Sequence, residues 1–370
     1  MKISGAVLEE VGRSRPYAES TPISIRELEL ASPGPTELLV QIEAAGVCHS
    51  DLSVVDGNPV RPVPMLLGHE AAGIVREVGS QVTDIAVGRR VVMSFLPRCE
   101  GCEGCAADGR LPCGPGSVAN NAGEMLGGGR RISHSQTGDE VHHHLGVSGF
   151  ATYAVVDAAS AVVVGDDVPA DVAAVLGCAV LTGGGAVLNA AKPGPGDSIM
   201  VVGLGGVGMA ALITAVAQEV SRIIAVDTLD DKLALARELG AHETYTPQDV
   251  IADGVKATYV IECAGNARAF ETAFAATAPG GTTVTVGLPA PDARSSISPL
   301  TITAEARTVI GSYLGSAVPR RDIPKYAQMW REGRLPVEQL ISSRIQLSDI
   351  NSAMDQLADG KAIRQVIIFD

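Results

Sequence analysis

Asp197-Ser198-Ile199-Met200-Val201-Val202-Gly203-Leu204-Gly205-Gly206-Val207-Gly208 is the stretch on which the fold turns. The apolar run to Val202 reads as a buried strand. The glycines after it match G-x-G-x-x-G, and the chain beyond them reads as a helix to about Glu219. Alone, that glycine pattern is a weak signal. Here it leaves a strand, opens a helix and precedes, 19 residues after Gly208, an acidic residue, Asp227, at the end of the next strand. Gly203, Gly205, Gly206 and Gly208, with Val207 among them, allow a tight turn and close backbone approach, so a pyrophosphate can rest on helix N–H groups. Asp227 is placed to accept hydrogen bonds from adenosine ribose hydroxyls. A carboxylate there repels a 2′-phosphate, which favours NAD over NADP. Lys232 either reaches the same ribose or is a solvated helix lysine. The bland alternative is a glycine turn that only packs helix against strand.

Outward from this loop toward the C-terminus, strands and helices alternate. Arg222 to Asp227 reads as a strand, Asp230 to Leu239 as a helix closed by Gly240, and Tyr259–Cys263, Thr282–Val286 and Thr308–Gly311 as further strands. Such alternation predicts an α/β, doubly wound parallel sheet. Toward the N-terminus the texture changes. Leu38–Ile42, Ala72–Val75, Val91–Met93 and Tyr153–Val156 read as short strands between turns. The segment from Pro112 to Gly149, rich in glycine and polar residues, reads as a long, mostly irregular surface loop. The tail from Ile323 ends in a strand, Arg364 to Phe369, that could return to the first domain.

At 370 residues the chain exceeds what one core usually serves, so two domains are expected. Aromatics make up only 3%, leaving Ala, Val, Leu and Ile to fill the cores. The net charge of −14 argues against nucleic-acid and anionic-membrane partners. Two uncharged runs, Ile199–Gln218 and Val172–Ala191, raise the question of a membrane span, and strand–turn–helix is the expectation for each. Met1 to Gly5 leads into mixed residues with no apolar signal stretch. A cytoplasmic location suits metal-bound thiols better than disulfides.

Six of the seven cysteines fall into two groups. Cys99, Cys102, Cys105 and Cys113 lie within fifteen residues, the pattern of a closed structural zinc site. Free thiols, a disulfide pair and an iron–sulfur cluster are the alternatives. Cys48, His69 and Cys178 are far apart, each in a glycine-bounded turn. Three protein ligands would leave a fourth position for water or substrate, as catalytic zinc requires. A lone Cys or His in an apolar turn is more often simply buried. What lifts this set is Asp51, placed to orient His69, and Glu70, placed to approach the metal.

Gly46-Val47-Cys48-His49-Ser50-Asp51, Gly68-His69-Glu70, the four-cysteine run, Gly177-Cys178, the Gly203–Gly208 loop with Asp227, and Ile363-Arg364 together resemble the medium-chain zinc-dependent alcohol dehydrogenase family, in its long, dimeric, class III-like branch. The resemblance spans nearly the whole chain. It implies a GroES-like, mostly-β catalytic domain over residues 1–180 with a structural zinc lobe at about 97–115. A Rossmann coenzyme domain over 181–314 and a return to the catalytic domain over 315–370 follow. It further implies two zinc ions per chain, with Cys48, His69 and Cys178 holding the catalytic ion at the cleft between domains. Ser50 matches the hydroxyl relay that carries the substrate proton away. His49 and Arg364 match positions facing the pyrophosphate, and Thr182 and Leu314 match coenzyme-binding positions. Phe95, Leu96, Leu145 and Leu288 fall where the family lines its alcohol channel, with Pro59 near the mouth. That lining suits a primary alcohol or aldehyde of medium size, aliphatic or aromatic.

Some positions depart from the family pattern. Ser53 stands where many relatives carry a histidine that ends the proton path, and a serine is no base near neutral pH. Ser117 stands where glutathione-using relatives place an arginine, so oxidation of a thiol adduct of formaldehyde, with mycothiol or glutathione, is the alternative activity. A non-catalytic relative is the remote alternative. His144 occupies a position where relatives often place an aromatic channel residue, yet His142, His143 and His144 read first as a solvated loop. The 65-position gap from Cys113 to Cys178 resembles the dimeric branch, so a homodimer is expected. Cys263 reads as an inert core residue, and Tyr326 and Trp330 as core or interface packing.

Overall fold

The computed structural model describes residues 1–369. Two compact units are present: Met1–Cys178 with Pro319–Ala327 and Ile341–Asp370, and Ala179–Val318 with Gln328–Leu340. The tail therefore does not return as one piece from 315, because its middle section, Gln328–Leu340, clusters with the second unit.

The first unit is mostly β. Its strands are Lys2–Leu8 (β1), Ile23–Leu30 (β2), Glu37–Val47 (β3), Met65–Leu66 (β4), Ala71–Val78 (β5), Arg90–Met93 (β6), Ile132–His134 (β7), Glu140–His143 (β8), Tyr153–Asp157 (β9) and Ala161–Val163 (β10). A closed barrel runs β1-β2-β7-β8-β4. Ile3, Val7, Leu28, Leu30, Leu66, Met125, Ile132 and Val141 share one buried cluster. This overturns the reading of Pro112–Gly149 as irregular loop. It holds a helix, Gly114–Ala122, and two barrel strands, whose few apolar residues are hidden among polar ones.

The second unit carries Ser198–Val202 (β11), Arg222–Val226 (β12), Glu243–Tyr245 (β13), Ala257–Glu262 (β14), Thr277–Thr285 (β15) and Thr308–Gly311 (β16). They form one parallel sheet in the order β13-β12-β11-β14-β15-β16, with helices Gly206–Ala217, Asp230–Glu238, Pro247–Ala252 and Ala267–Ala276 between successive strands. Met200, Val202, Ile224, Val226 and Val260 form part of its buried cluster. The apolar run before this sheet is not strand–turn–helix. Ala170–Ala191 is a continuous helix with two π segments, 89% buried over its most apolar window, so burial inside the fold accounts for its composition.

Two last strands belong to the first unit. Ile341–Ile345 (β17) pairs in parallel with Arg364–Ile368 (β18), and β18 pairs antiparallel with β3. The seven-stranded sheet thus runs β10-β6-β5-β3-β18-β17, with β9 also on β3. Behind it lies the main core, where Phe150 is fully buried among Leu8, Val40, Leu67 and Ile367. Tyr326 is buried in the same unit, whereas Trp330 is half-buried and donates to Glu338 at 3.0 Å. Phe150→Ala should cost about 3–5 kcal/mol. Urea unfolding followed by intrinsic fluorescence would read it as an earlier transition.

Candidate metal centre and coenzyme loop

β3 ends at Val47, and Cys48 leads into a short helix, His49–Val55. Asp51, in the first turn, reaches back so that its Oδ2 accepts from the Cys48 N–H at 3.0 Å. Its Oδ1 lies 3.0 Å from His69 Nδ1 and 3.2 Å from His144 Nδ1. With Nδ1 committed to Asp51, His69 turns Nε2 the other way, 3.4 Å from Cys178 Sγ. One ligand atom from each of Cys48, His69, Glu70 and Cys178 lies within 4.8 Å of the other three, all buried.

The electrostatics of the site are divided, since the Cys48 contact and burial push the Cys178 thiol well above its ordinary value. Burial opposes ionisation of Asp51, but the facing His69 charge and the His144 and His69 contacts win and hold its pKa at about 2. The Cys48 thiol is pulled well below its ordinary value, first by Cys178 and then, against burial, by Arg364 and His69. Burial pushes Glu70 up to about 7. Its two oxygens lack hydrogen-bond partners, and the Arg364 guanidinium stands 3.5 Å away while donating to the Val47 carbonyl at 3.0 Å. The carboxylate fits only because residue 46 is glycine, since a Cβ there would lie 2.0 Å from Glu70 Oε1. Two thiols, an imidazole and an orphaned carboxylate converging in a dry site suit zinc.

The second set is equally coherent. Cys99 and Cys105 sulfurs are 4.0 Å apart, and those of Cys102 and Cys113 are 3.9 Å apart. A disulfide needs about 2.05 Å. Tetrahedral Zn–S bonds of about 2.3 Å put ligand sulfurs about 3.8 Å apart. Cys102 Sγ accepts from the Cys105 N–H and Cys113 Sγ from the Gly116 N–H, each at 3.4 Å. The N–H groups of Cys105 and Gly114 pull the Cys102 thiol down to about 6.

In the second unit the loop after β11 forms a cradle. A Cβ on Gly208 would collide with the Gly203 carbonyl at 1.8 Å, whereas one on Gly205 would meet nothing within 4 Å. The first glycine serves packing and the second leaves open space over the helix start, where Gly206 and Val207 begin the turn. The Asp227 carboxylate accepts from Leu204 N–H at 2.6 Å and Leu229 N–H at 3.1 Å, which fixes it beside the loop. Lys232 is half-buried in the next helix. Leu314 opens a run of three residues with positive φ, and the next, Gly315, comes against the Thr182 carbonyl, where a Cβ would sit at 2.4 Å. A dinucleotide fits this arrangement.

Other expected positions are more mixed. Ser50 Oγ faces Cys48 Sγ at 3.9 Å, and Ser53 donates to the His49 carbonyl at 2.8 Å. His49 is exposed. Phe95 is buried edge-on to His69, with centroids 5.7 Å apart, and Leu96 is buried nearby in the chain. Leu145 is half-buried, while Leu288 (68% exposed) and Pro59 lie open. Cys263 is half-buried just beyond β14, its thiol kept protonated by burial and the adjoining Glu262. The solvated-loop reading of the histidine triplet is overturned. His143 and His144 are buried, and only His142 is half-buried. His143 Nε2 accepts from the Arg131 N–H at 3.0 Å, and burial with Arg131 lowers its pKa to about 3. The period-two alternation of Val141 and His143 was the available signal. Nothing local marked His144 as a neighbour of Asp51.

Comparison with known proteins fits this geometry. Residues 34–166 match the alcohol dehydrogenase GroES-like domain, and residues 206–332 match the zinc-binding dehydrogenase family. Geraniol dehydrogenase of Castellaniella defragrans is 36% identical, over 98% of this chain and 97% of its own. Among solved structures, an alcohol dehydrogenase zinc-binding domain protein from Burkholderia ambifaria superposes with a TM-score of 0.92 at 30% identity, covering 100% of this chain and 99% of that one. Benzyl alcohol dehydrogenase from Acinetobacter calcoaceticus gives 0.91 at 29%, covering 100% of both.

Asp51→Asn is expected to weaken metal retention about 10–100-fold, read by competition with a chromogenic chelator. Cys113→Ser should lower bound zinc by one ion per chain and expose the lobe to protease. Architecture, cysteine sets and likeness over the full length agree, and the chain belongs to the medium-chain zinc-dependent alcohol dehydrogenase family, whose enzymes use zinc and a nicotinamide coenzyme.

Proposed function

We propose that this alcohol dehydrogenase uses NAD to oxidise primary alcohols of medium size, aliphatic or aromatic, and to reduce the matching aldehydes. The observation that carries the reading is the convergence of Cys48, His69 and Cys178 in a buried site with Asp51 behind His69. Held by Cys48, His69 and Cys178, zinc would supply a Lewis acid that eases loss of the alcohol proton, and a nicotinamide coenzyme would supply the hydride acceptor. Asp51 fixes the His69 tautomer that leaves Nε2 free to ligate. Ser50, in the helix after Cys48, relays the proton. Ser53 is tied to a backbone carbonyl and is no base, so water receives it. Glu70 lies within ligand distance of the same site, and Arg364 balances its charge. The four lobe cysteines would hold the second zinc.

Asp227, anchored beside the glycine loop, supports NAD over NADP. The glycine loop, Thr182, Leu314 and Lys232 would bind the coenzyme, and the family resemblance adds His49 and Arg364 as proposed contacts. Phe95, buried edge-on to His69, would line the alcohol channel on the side of the first unit. The relatives named for geraniol and benzyl alcohol point to the same class of primary alcohol. A homodimer is supported by β16, a sheet-edge strand with three of its four residues exposed, which an edge-to-edge partner would cover. Seven unbridged cysteines suit a reducing cytoplasm.

An alcohol panel assayed with NAD and NADP tests the reading. Primary alcohols with NAD should give the highest kcat/KM, Asp227→Ala should narrow the preference over NADP, and Cys48→Ser should abolish turnover. Faster reaction with NADP in the unaltered enzyme would reject the coenzyme assignment. Formaldehyde oxidised only with added mycothiol or glutathione would reject the substrate assignment.

A further inference from the structure

One buried charge has no part in the chemistry described so far. Glu262 is the last residue of β14, level with Val202 at the end of β11 and with Thr285 on β15. The winding of the sheet reverses between β11 and β14, and dinucleotides bind outside the strand ends at such a reversal. Its surroundings belong to that crevice. A Cβ on Gly203 would lie 2.7 Å from the backbone nitrogen of Ala264, and one on Gly265 would lie 3.0 Å from that of Leu288.

Glu262 is 1% exposed. Its Oε1 accepts from the Gly265 N–H at 2.6 Å and its Oε2 from the Thr285 hydroxyl at 2.9 Å. Its main-chain carbonyl accepts from Val286 and Gly287 at 3.0 and 3.2 Å. The side chain therefore ties the loops after β14 and β15 together. Donors alone converge on the carboxylate, the environment of the ionised form. Burial pushes its pKa up, with the Gly265 N–H, the Thr285 hydroxyl and the Ala264 N–H opposing.

What the donors do not explain is the charge. No lysine or arginine pairs with Glu262 among the described residues. An uncompensated buried carboxylate is costly. A glutamine would serve the same donors without that cost, because its carbonyl could accept from Gly265 while its amide donated to the Thr285 oxygen. A cation that arrives with the ligand would compensate the charge. The oxidised nicotinamide ring is such a cation, and it becomes neutral on accepting hydride.

We infer that Glu262 supplies a fixed negative charge at the coenzyme crevice that favours the oxidised coenzyme over the reduced one. The side-chain hydrogen bonds of Glu262 stay within the second unit, so it is a specificity determinant acting through space. The inference rests on nicotinamide binding by the second unit.

The test is the pair of dissociation constants on one zinc-loaded preparation, NADH by fluorescence enhancement and NAD by displacement of NADH. Their ratio is insensitive to loss of active protein. Glu262→Gln should weaken NAD at least about threefold and leave NADH within about twofold, because only the oxidised ring carries a charge for the carboxylate to attract. Glu262→Asp, which keeps the charge on a shorter stem, should keep the unaltered ratio. Equal weakening of both coenzymes in Glu262→Gln, or an unchanged ratio, would overturn the role of the charge alone. So would a ratio in Glu262→Asp shifted as far as in Glu262→Gln. Unaltered protein that bound neither coenzyme would overturn the coenzyme reading together with this one.

Discussion

The carboxylate of Asp51 is the joint on which the metal centre depends. One oxygen holds the start of the helix after Cys48, and the other faces two imidazoles from distant parts of the chain. A fully buried anion is tolerable only with such partners, and losing one of them leaves the rest of the set badly solvated. Hydrogen bonding at one ring nitrogen also decides what the other can do, so the aim of His69 Nε2 is set from behind. The thiols then need only be brought into range.

The two cysteine sets reach their geometry by different routes. The lobe draws four sulfurs from within fifteen residues and orients two of them with backbone N–H groups at the starts of short helices. Little of the fold has to exist beforehand. The scattered set depends on long-range construction. Cys48 follows β3, His69 precedes β5, and Cys178 lies in a π segment of a long buried helix. Such irregular turns concentrate at functional sites because they re-aim single side chains.

Much of this was readable in the amino-acid order, where the signal is short-ranged. The glycine loop with its strand, helix and Asp227 and the cysteine spacing declare themselves over short stretches, and the sheet of the second unit follows from strand–helix alternation. The failures share a cause. β7 and β8 are three and four residues long, and only pairing with β2 and β4 makes them strands. The apolar run from Val172 to Ala191 lacks a period that separates buried helix from buried strand, so its glycines misled. His144 was misplaced because the charge that faces it, Asp51, is 93 positions earlier.

The return of the chain has a consequence for biosynthesis. The sheet of the second unit is built from one continuous segment, Ala179–Val318. The first unit cannot complete its seven-stranded sheet until β17 and β18 exist, and Arg364 on β18 is the counter-charge to Glu70. During translation the inner unit is free to fold while the earlier strands beside β3 still wait for their neighbour. Unpaired strand edges of that kind are prone to aggregate until a neighbour covers them.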